Sequence, residues 1–447
     1  MYRIKVFICF ILITTWPVKA QESIDFTSVD SLTWKLYQGK DWKNLAHIGK
    51  KALKNGIDYY YLRMRIGIAH YETGNYMKSA KHFNKALDFN TGDPVALEYL
   101  FYSNIFSGRT DHAWSVAKGF SPALKEKIGT AKKKSLEKLH VEFCHENSFT
   151  DDIVSNPANY FSNIPGYQII TRHFNNVSLF ADHRAGYRFR IFHGYTYLNK
   201  SNLFHYNDGM YILNDPDYVI NQHQYYFSLN TSFNNGWKIT PAVHFLSVKY
   251  SKLLSISAGG PNGLRAIYGM HNTFNLLAGL SVSKYIENTS LTLEGHYSNL
   301  NENEQVQTTM GMIYYPLGNL NVYVGGNFTL HNQINQPAEE LNMIGIGKFG
   351  FSIAQKAWFE LSGSWGSMKN YSEFNTYLVF NNYDKILQKY NLHIIIPVNE
   401  NGSLLYFGSR FVKKSCELYS FTTQDYLNTE NINYNSLSLY GGLSWNF

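Results

Sequence analysis

The chain has 447 residues, of which 44% are hydrophobic and 16% aromatic, and its formal net charge is +7. This length allows two or more domains. No apolar run after Ala20 reaches the roughly 20 residues that a membrane-spanning helix needs, so a helical membrane protein is excluded. Only Cys144 and Cys416 follow Ala20, which excludes a disulfide framework and a cysteine metal site. The sequence leaves open whether these two cysteines pair, and it indicates no cofactor.

The stretch from Met1 to Ala20 has the pattern of a secretory signal. Basic Arg3 and Lys5 precede a short apolar stretch, and small Ala20 ends the segment. A membrane anchor is the alternative, but this apolar stretch is too short to span a bilayer as a helix. We therefore expect residues 1–20 to be a cleaved signal peptide and the mature chain to start at Gln21.

The positive charge is concentrated in the region that precedes residue 138. Residues 21–137 hold 18 basic and 12 acidic side chains, a net charge of +6, whereas residues 138–447 hold 19 and 21, a net charge of −2. This excess of lysine would favour an acidic partner, although a solvated helix face has the same composition. No nucleic-acid partner is expected.

Two stretches in this basic region resemble each other. "DWKNLAHIGKKAL" begins at Asp41 and "NYMKSAKHFNKAL" begins at Asn75. Their spacing matches the period of about 34 residues of the tetratricopeptide repeat, in which a pair of helices buries its apolar face by stacking on the next pair. The helical periodicity runs over about 27–134, and Gly108 aligns with Gly74 in a third, weaker unit.

The second unit carries most of the repeat pattern, and its small and apolar residues fall where such repeats pack. We predict a helical domain of about three repeats over residues 21–135. Repeat stacks present concave surfaces that bind proteins or peptides, so a protein partner is expected. The predicted packing residues are Gly67, Ala69, Tyr71, Ala80, Phe83 and Ala86.

After about Leu139 the period changes from helical to alternating. Short segments with apolar residues on one parity are separated by turn signals such as "NNG" and "NENG". Pro241 counts against one of these segments, because proline cannot donate a ladder hydrogen bond. We count about 14 segments: 140–146, 168–184, 189–198, 224–233, 237–250, 273–285, 289–297, 306–315, 321–330, 341–353, 357–365, 390–398, 404–412 and 435–447.

The alternation gives each segment one apolar face and one polar, small face. Successive side chains of a strand point to opposite faces of the sheet. A membrane barrel with a polar lumen has this pattern, and so does a secreted sandwich with one wet face. For the barrel, the predicted lumen residues are Glu294, His296, Ser298, Glu360, Tyr406 and Arg410.

The lengths of the connections favour the barrel. If the last segment runs toward the periplasm, the short turns all fall on the periplasmic side. These are "AGY", "NNG", Glu287–Asn288, "PLGN", "AQK" and "NENG". The connections expected on the outer side are long: 147–165, 199–220, 251–271, 369–385 and 415–434. Short inner turns and long outer loops are typical of outer-membrane barrels, and an even strand number leaves the helical domain in the periplasm.

The chain ends on "LSLYGGLSWNF", an alternating segment that closes on an aromatic residue. This ending resembles the signal that the barrel-assembly machinery reads, which makes that machinery and outer-membrane lipid expected partners. Together with the repeats it resembles a two-part outer-membrane family, whose layout the exporters of poly-N-acetylglucosamine and cellulose share. YaiO-type barrel proteins are similar in the barrel half. The residues assigned to the signal are Leu439, Gly441, Leu443, Trp445 and Phe447.

The resemblance implies an α + β multidomain protein, with residues 136–447 forming an outer-membrane β-barrel behind a tetratricopeptide domain. It implies export or surface assembly of polysaccharide, with the repeats recruiting a periplasmic partner. The exporters carry many more repeats than this chain. The first alternative is therefore a non-conducting, membrane-anchored scaffold.

The second alternative is an outer-membrane enzyme. It needs a serine or carboxylate within hydrogen-bond reach of a histidine. Glu294, His296 and Ser298 share one face of a strand, at about 7 Å between successive positions, while Asp182 and His183 point to opposite faces. No nucleophile-elbow, phosphate-loop or zinc-protease motif is present, so no catalytic residue or metal ligand is assigned.

Overall fold

The computed structural model describes residues 25–132, 135–233, 235–258, 264–334, 341–399, 402–421 and 431–447. The predicted signal peptide, residues 1–20, lies outside these ranges. The helices are α1 (Phe26–Gln38), α2 (Trp42–Lys54), α3 (Tyr60–Glu72), α4 (Tyr76–Phe89), α5 (Pro94–Phe106), α6 (Thr110–Ala117), α7 (Pro122–Ile128) and the short α8 (Asp151–Ser155). Within the ranges given, no helix has the length and apolarity to cross a membrane.

The helices before residue 129 begin at regular intervals. Helices α1, α3 and α5 start at positions 26, 60 and 94, and α2, α4 and α6 start at 42, 76 and 110. Both series therefore advance by 34 residues, the same spacing that separates the two similar sequence stretches. The caps repeat as well: the side chains of Asp41 and Asn75 each accept a backbone N–H in the first turn of the following helix. Gly74 and Gly108, at equivalent places in successive units, both hold a φ of +75° in the turn between paired helices.

The residues predicted to pack within the second unit lie between α3 and α4. Ala69, Phe83 and Ala86 are fully buried and Ala80 is nearly so. A Cβ on Gly67 would lie 3.0 Å from the Phe83 ring, so these two helices approach too closely for a larger residue. Tyr71 is partly buried, and its ring contacts those of Tyr76 and Tyr99. Successive helices thus contact one another around two apolar clusters, one formed by α1 to α3 and the other by α3 to α7.

Most of the described chain after residue 135 is β structure. The strands are β1 (Leu136–Ser148), β2 (Gly166–Ala185), β3 (Phe189–Asn207), β4 (Ile212–Ser232), β5 (Trp237–Ala258), β6 (Leu264–Ile286), β7 (Thr289–Ser298), β8 (Gln305–Tyr314), β9 (Val322–Gln333), β10 (Asn342–Ile353), β11 (Ala357–Met368), β12 (Tyr371–Glu373), β13 (Leu378–Phe380), β14 (Lys385–Pro397), β15 (Leu404–Cys416), β16 (Tyr419–Ser420) and β17 (Ile432–Asn446).

Fourteen of these strands close into an antiparallel barrel, which confirms the predicted fold of this part. Strand β1 pairs with the last strand, β17, and also with β2, so that Val141 lies between Leu443 and Leu179. The remaining members are β3 to β11, β14 and β15, each paired to its neighbours. Every segment counted in the sequence corresponds to one barrel strand. Pro241 lies within β5 opposite Leu280 of β6, and the pairing of β5 with β4 is interrupted beside it.

The outer face of the barrel is apolar and exposed. Closure leaves no strand edge that would need a hydrogen-bond partner in lipid. A closed barrel with an apolar outer face is the architecture of an outer-membrane protein. Exposed residues on this face include Val141, Phe143, Val177, Leu179, Phe245, Leu280, Leu293, Met310, Val324, Phe328, Leu361, Trp365, Leu405, Phe407, Leu439, Leu443 and Trp445.

Two of the predicted outer loops are largely strand. Strands β2 to β6 have 19 to 23 residues, whereas β7 to β11 have 10 to 12. The expected loops 199–220 and 251–271 therefore belong mainly to the outer ends of β3 to β6, because the ladder continues beyond the length that a membrane requires. The expected outer loop 369–385 is also wrong in its position, since it folds into the barrel. Cys144 and Cys416 are both buried and form no disulfide.

The predicted assembly signal lies on the outward face of β17 and gives the first testable expectation. Deleting Phe447 should lower the amount of folded barrel in the outer membrane, because this exposed aromatic directly follows the strand that closes the wall. Heat-modifiable mobility on a gel, after outer-membrane isolation, measures the folded fraction. Phe447→Trp keeps an aromatic end and serves as the control. Normal levels of the deletion variant would contradict the assignment.

Candidate functional site

The six predicted lumen residues all lie on the inner face of the wall. Glu294, His296 and Ser298 are on β7, opposite in parity to exposed Leu291 and Leu293. The other members of the set belong to two distant strands. These are Glu360 on β11, and Tyr406 and Arg410 on β15.

The structure does not bring these six residues to one place. The phenol of Tyr323 donates to Glu360 Oε2 at 2.6 Å. The guanidinium of Arg410 donates from Nε to Asn391 Oδ1 at 3.0 Å and lies over the ring of Tyr440. Each group is thus held by neighbouring strands, as the polar interior of a barrel requires.

The β7 residues do not have the geometry of a nucleophilic site. Glu294 Oε2 lies 3.6 Å from His296 Nε2, but Ser298 Oγ donates to Gln305 Oε1 at 2.5 Å and not to the histidine. The other candidate pair is also separated, because Asp182 contacts His140 inside the barrel. The ring of His183 stacks on that of His193. In the described part of the chain there is no cluster of metal-ligating residues.

The segment between β11 and β14 crosses the lumen. Its strands β12 and β13 pair with each other, with Tyr371 opposite Phe380, and we call residues 371–380 the inner hairpin. Gln307 Nε2 of β8 donates to the carbonyl of Ser372 at 2.7 Å. The hairpin is thereby attached to the inner face of the wall.

The tip of the inner hairpin reaches the opposite side of the barrel. Asn375 Nδ2 donates to the carbonyl of Thr240 on β5 at 2.8 Å. Its backbone N–H donates to Glu294 Oε2 at 3.3 Å, and its carbonyl accepts from the Tyr226 phenol at 3.3 Å. His244 Nδ1 lies 2.7 Å from the carbonyl of Thr376. Contacts with β4, β5 and β7 therefore fix the tip on several sides.

The tip has a strained backbone. Phe374, Asn375 and Thr376 have φ values of 54°, 53° and 69°. This left-handed region is unfavourable for residues other than glycine, most of all for a β-branched threonine. Such a conformation costs on the order of 1–3 kcal/mol for each residue and persists where the surroundings determine it. The contacts to Thr240, Glu294 and the neighbouring strands hold the tip in this conformation.

A buried ion pair holds the stem of the inner hairpin. Lys389 Nζ on β14 lies 2.6 Å from both carboxylate oxygens of Glu373, and both side chains are buried. Removing one partner of a buried pair typically costs about 3–5 kcal/mol, because the other charge is left without compensation. This pair therefore resists displacement of the hairpin.

Little space remains between the inner hairpin and the rest of the wall. The cavity on that side has a volume of about 100 Å³. Its walls carry a second buried pair, Glu146 with Lys414, together with Arg410. On this side, polar side chains and the hairpin itself therefore leave little free space in the lumen.

Helix α6 enters the end of the barrel that carries the short turns. Asp111, in its first turn, is buried among three basic groups of the wall. Its carboxylate accepts from Arg190 Nε at 2.9 Å and from Arg184 Nη2 at 3.2 Å, and it lies 3.4 Å from Lys238 Nζ. The three basic residues belong to β2, β3 and β5, so one carboxylate ties the helical part to three strands.

The surroundings of Asp111 keep it ionised. Burial alone raises the pKa of a carboxyl, but here Arg190, Lys238 and Arg184 outweigh it and hold the pKa of Asp111 below its usual value. This contribution to docking is present above the ordinary carboxyl pKa of about 4 and is lost only as the pH falls through the lowered value.

Other contacts extend the docking across the short turns. Arg109 Nη2 donates to the carbonyl of Glu287 at 2.8 Å, and Lys81 forms an ion pair with the carboxylate of the same residue. The N–H of Met77 donates to the carbonyl of Gly318 at 3.0 Å. A Cβ on Gly108 would lie 2.9 Å from Leu320, so the turn between α5 and α6 packs closely on the wall.

No protein-family model and no curated protein matches this chain. Solved structures similar in fold include the Pseudomonas putida toluene transporter TodX, with 7% identity, a TM-score of 0.44, 70% of this chain and 90% of that chain covered. The Ralstonia pickettii toluene transporter TbuX has 8% identity and a TM-score of 0.42, with coverage of 70% and 90%. A Pseudomonas aeruginosa FadL homologue has 10% identity and a TM-score of 0.42, with coverage of 74% and 94%. Similarity at this level establishes no shared function.

The Asp111 cluster gives the second testable expectation. Asp111→Asn keeps the shape of the side chain but removes its charge, so it should weaken docking of α6 by about 3 kcal/mol, the lower value for breaking a buried pair. Hydrogen exchange of the α6 amides in the full chain, embedded in nanodiscs, should become faster. Asp88→Asn is the matched control, because Asp88 pairs with Lys85 on an exposed surface. Unchanged α6 exchange would contradict the docking role.

Proposed function

We propose that this protein is an occluded outer-membrane barrel that anchors a periplasmic tetratricopeptide layer and serves as a scaffold for a periplasmic partner in the assembly of surface polysaccharide. The observation that carries the proposal is the inner hairpin, residues 371–380, which crosses and obstructs the lumen and is held by the Lys389–Glu373 pair. A lumen filled in this way favours an anchor over an open conduit.

The helical layer supports the recruiting role. The constant step between its helix starts agrees with a tetratricopeptide stack. Its contacts with the barrel come from α4 to α7 and the turns before them, whereas α1 and α3 carry exposed aromatic residues. Trp34 and Tyr61 are 47% and 63% exposed, and the Arg65 guanidinium lies over both rings. Exposed aromatic side chains are typical of protein-binding surfaces, and the buried Arg65 supports both rings.

Export of polysaccharide is the second candidate function. Its support is that both obstructions, the inner hairpin and helix α6, are separate from the strands of the wall. Their displacement would leave a polar lumen without breaking the ladder. Conduction would then depend on breaking the pairs made by Glu373 and Asp111.

Ion conductance separates the two functions. The intact protein in planar bilayers should be nearly silent, because the inner hairpin fills the lumen. Deleting residues 371–380 together with Asp111→Asn, which weakens docking of α6, should produce stepwise conductance, since residues 369–370 and 381–385 still join the paired Met368 and Ile386. Phe374→Ser changes the exposed tip but keeps the hairpin, and it should stay silent. Stable open channels in the intact protein would contradict the scaffold.

Photo-cross-linking in cells tests the recruiting surface. A photoreactive amino acid in place of Tyr61 should capture one defined periplasmic protein, because this ring is exposed on the helical layer. The same substitution at exposed Glu126 in α7 is the control and should not capture it. The absence of an adduct at position 61, or the same adducts at both positions, would count against the surface.

A further inference from the structure

A large cavity lies at the opposite end of the barrel from the helices. Its volume is about 1270 Å³, whereas cavities that bind small molecules usually measure roughly 300–1,000 Å³. The outer ends of β2 to β6 form one side, and the segments around β7–β8, β11–β14 and β16 form the other. The inner hairpin separates this cavity from the end that holds α6. The cavity therefore has room for a ligand of several rings, and it is separate from both the inner hairpin and helix α6.

One wall of the cavity is a continuous series of aromatic rings. Tyr250 contacts Tyr218 edge to face, Tyr218 stacks on Phe204 at 5.4 Å between ring centroids, and Phe204 contacts Tyr167. Tyr167 in turn stacks on Tyr419 at 4.8 Å. The ladder between the long strands holds these rings in position. An aromatic face carries negative partial charge and attracts C–H groups, which line the faces of pyranose rings.

The other wall consists mainly of amide side chains. Each amide offers both donors and an acceptor, which matches the hydroxyl groups of a sugar. The amides that line the cavity include Gln222, Asn301, Asn303, Gln333, Asn342, Asn370, Asn381 and Asn431.

Two of these amides have buried acceptors that lack a donor. Neither Asn381 Oδ1 nor Asn431 Oδ1 accepts a hydrogen bond from any group in the described ranges. A buried acceptor without a donor is unfavourable, so a ligand that brings hydroxyl groups would be stabilised at these positions. An apolar ligand would leave both acceptors as they are.

The lining holds six charged groups, four lysines and two glutamates, for a net charge of +2. Glu417 accepts from Lys369 at 2.7 Å and from Lys385 at 2.8 Å, and Lys200 Nζ donates to Asn382 Oδ1 at 2.5 Å. Of the charged groups at this site, several are thus already engaged with protein partners. The eight amides of the lining outnumber its charged groups, so a ligand recognised mainly by hydrogen bonds fits this cavity.

We propose that this cavity is a binding site for an uncharged oligosaccharide, whose ring faces stack on the wall from Tyr167 to Tyr250 and whose hydroxyl groups bond to Asn381 and Asn431. The site goes beyond the scaffold role and does not depend on an occluded lumen. A silent barrel that binds no saccharide would leave the scaffold intact and overturn this site.

Isothermal titration of the full chain in nanodiscs tests the site, with cellohexaose and the hexamer of N-acetylglucosamine as probes. At least one of them should bind with one-to-one stoichiometry. Tyr250→Ala should weaken that binding by about tenfold, while Tyr250→Phe, which keeps the ring, should stay within about threefold. Asn381→Leu should weaken binding by a similar factor to Tyr250→Ala, because it removes the unpaired acceptor.

The control is Tyr314→Ala, which removes a ring from the exposed outer face of β8. It should bind like the unmodified protein, and every variant should show the heat-modifiable mobility of a folded barrel. Absence of binding by both hexamers overturns the proposal. Toluene serves as the apolar probe. The proposal is also overturned if toluene binds, Asn381→Leu does not change that binding, and neither saccharide binds.

Discussion

The structure depends on the pairing of β1 with β17. Lipid offers no hydrogen-bond partner to a strand edge, so a sheet can stand in a membrane only if its first and last strands meet. Eleven residue pairs from Lys138–Asn446 to Ser148–Ser436 make this contact. It brings the end of the chain beside the strand that follows the helices, and it turns every polar face of the wall toward one enclosed volume.

The polar groups inside a closed barrel need hydrogen-bond or ion-pair partners, which are water or other protein groups. In this barrel, protein segments from outside the wall supply such partners. The inner hairpin supplies backbone groups to β4, β5, β7 and β8, and Glu373 neutralises Lys389. At the end with the short turns, Asp111 does the same for Arg184 and Arg190. In both places a chain segment from outside the wall brings a carboxylate to the wall's basic residues. At α6 this carboxylate adds to those of the wall itself, since Arg184 also pairs with Glu137 and Arg190 with Asp182.

The sequence predicts much of this wall because lipid and lumen impose opposite chemistry on alternate residues. The alternation alone therefore assigns Leu293 to the outer face and Glu294 to the lumen, and turn residues mark the strand ends at the short turns. The outer ends of β3 to β6 could not be predicted in this way. Beyond the membrane neither face of a strand meets lipid, so aromatic residues such as Tyr206 and Tyr218 occur without the alternation that marks a spanning segment.

Local sequence patterns could not predict the position of the inner hairpin or the docking of α6, and the reason is a different one. Asp111 meets Arg184 and Arg190 across 73 and 79 residues of chain, and its repeat unit is the weakest of the three. The stretch "YSEFNTYLVF" of the inner hairpin is rich in aromatic residues for a loop, but only the closed wall decides that it turns inward. Pairing at such separations is a property of the closed barrel, which a short window of sequence does not contain.

The unequal strands have a consequence for how the molecule meets its surroundings. Strands β2 to β6 exceed β7 to β11 by about ten residues, which at about 3.3 Å per residue and a tilt near 40° is on the order of 25 Å of extra height. The described strands therefore form a rim that is tall on one side and low on the other. Such a rim gives the barrel a front and a back within the plane of the membrane. A glycan or a neighbouring protein approaching over the low side reaches the interior first, whereas one approaching from the tall side meets only wall.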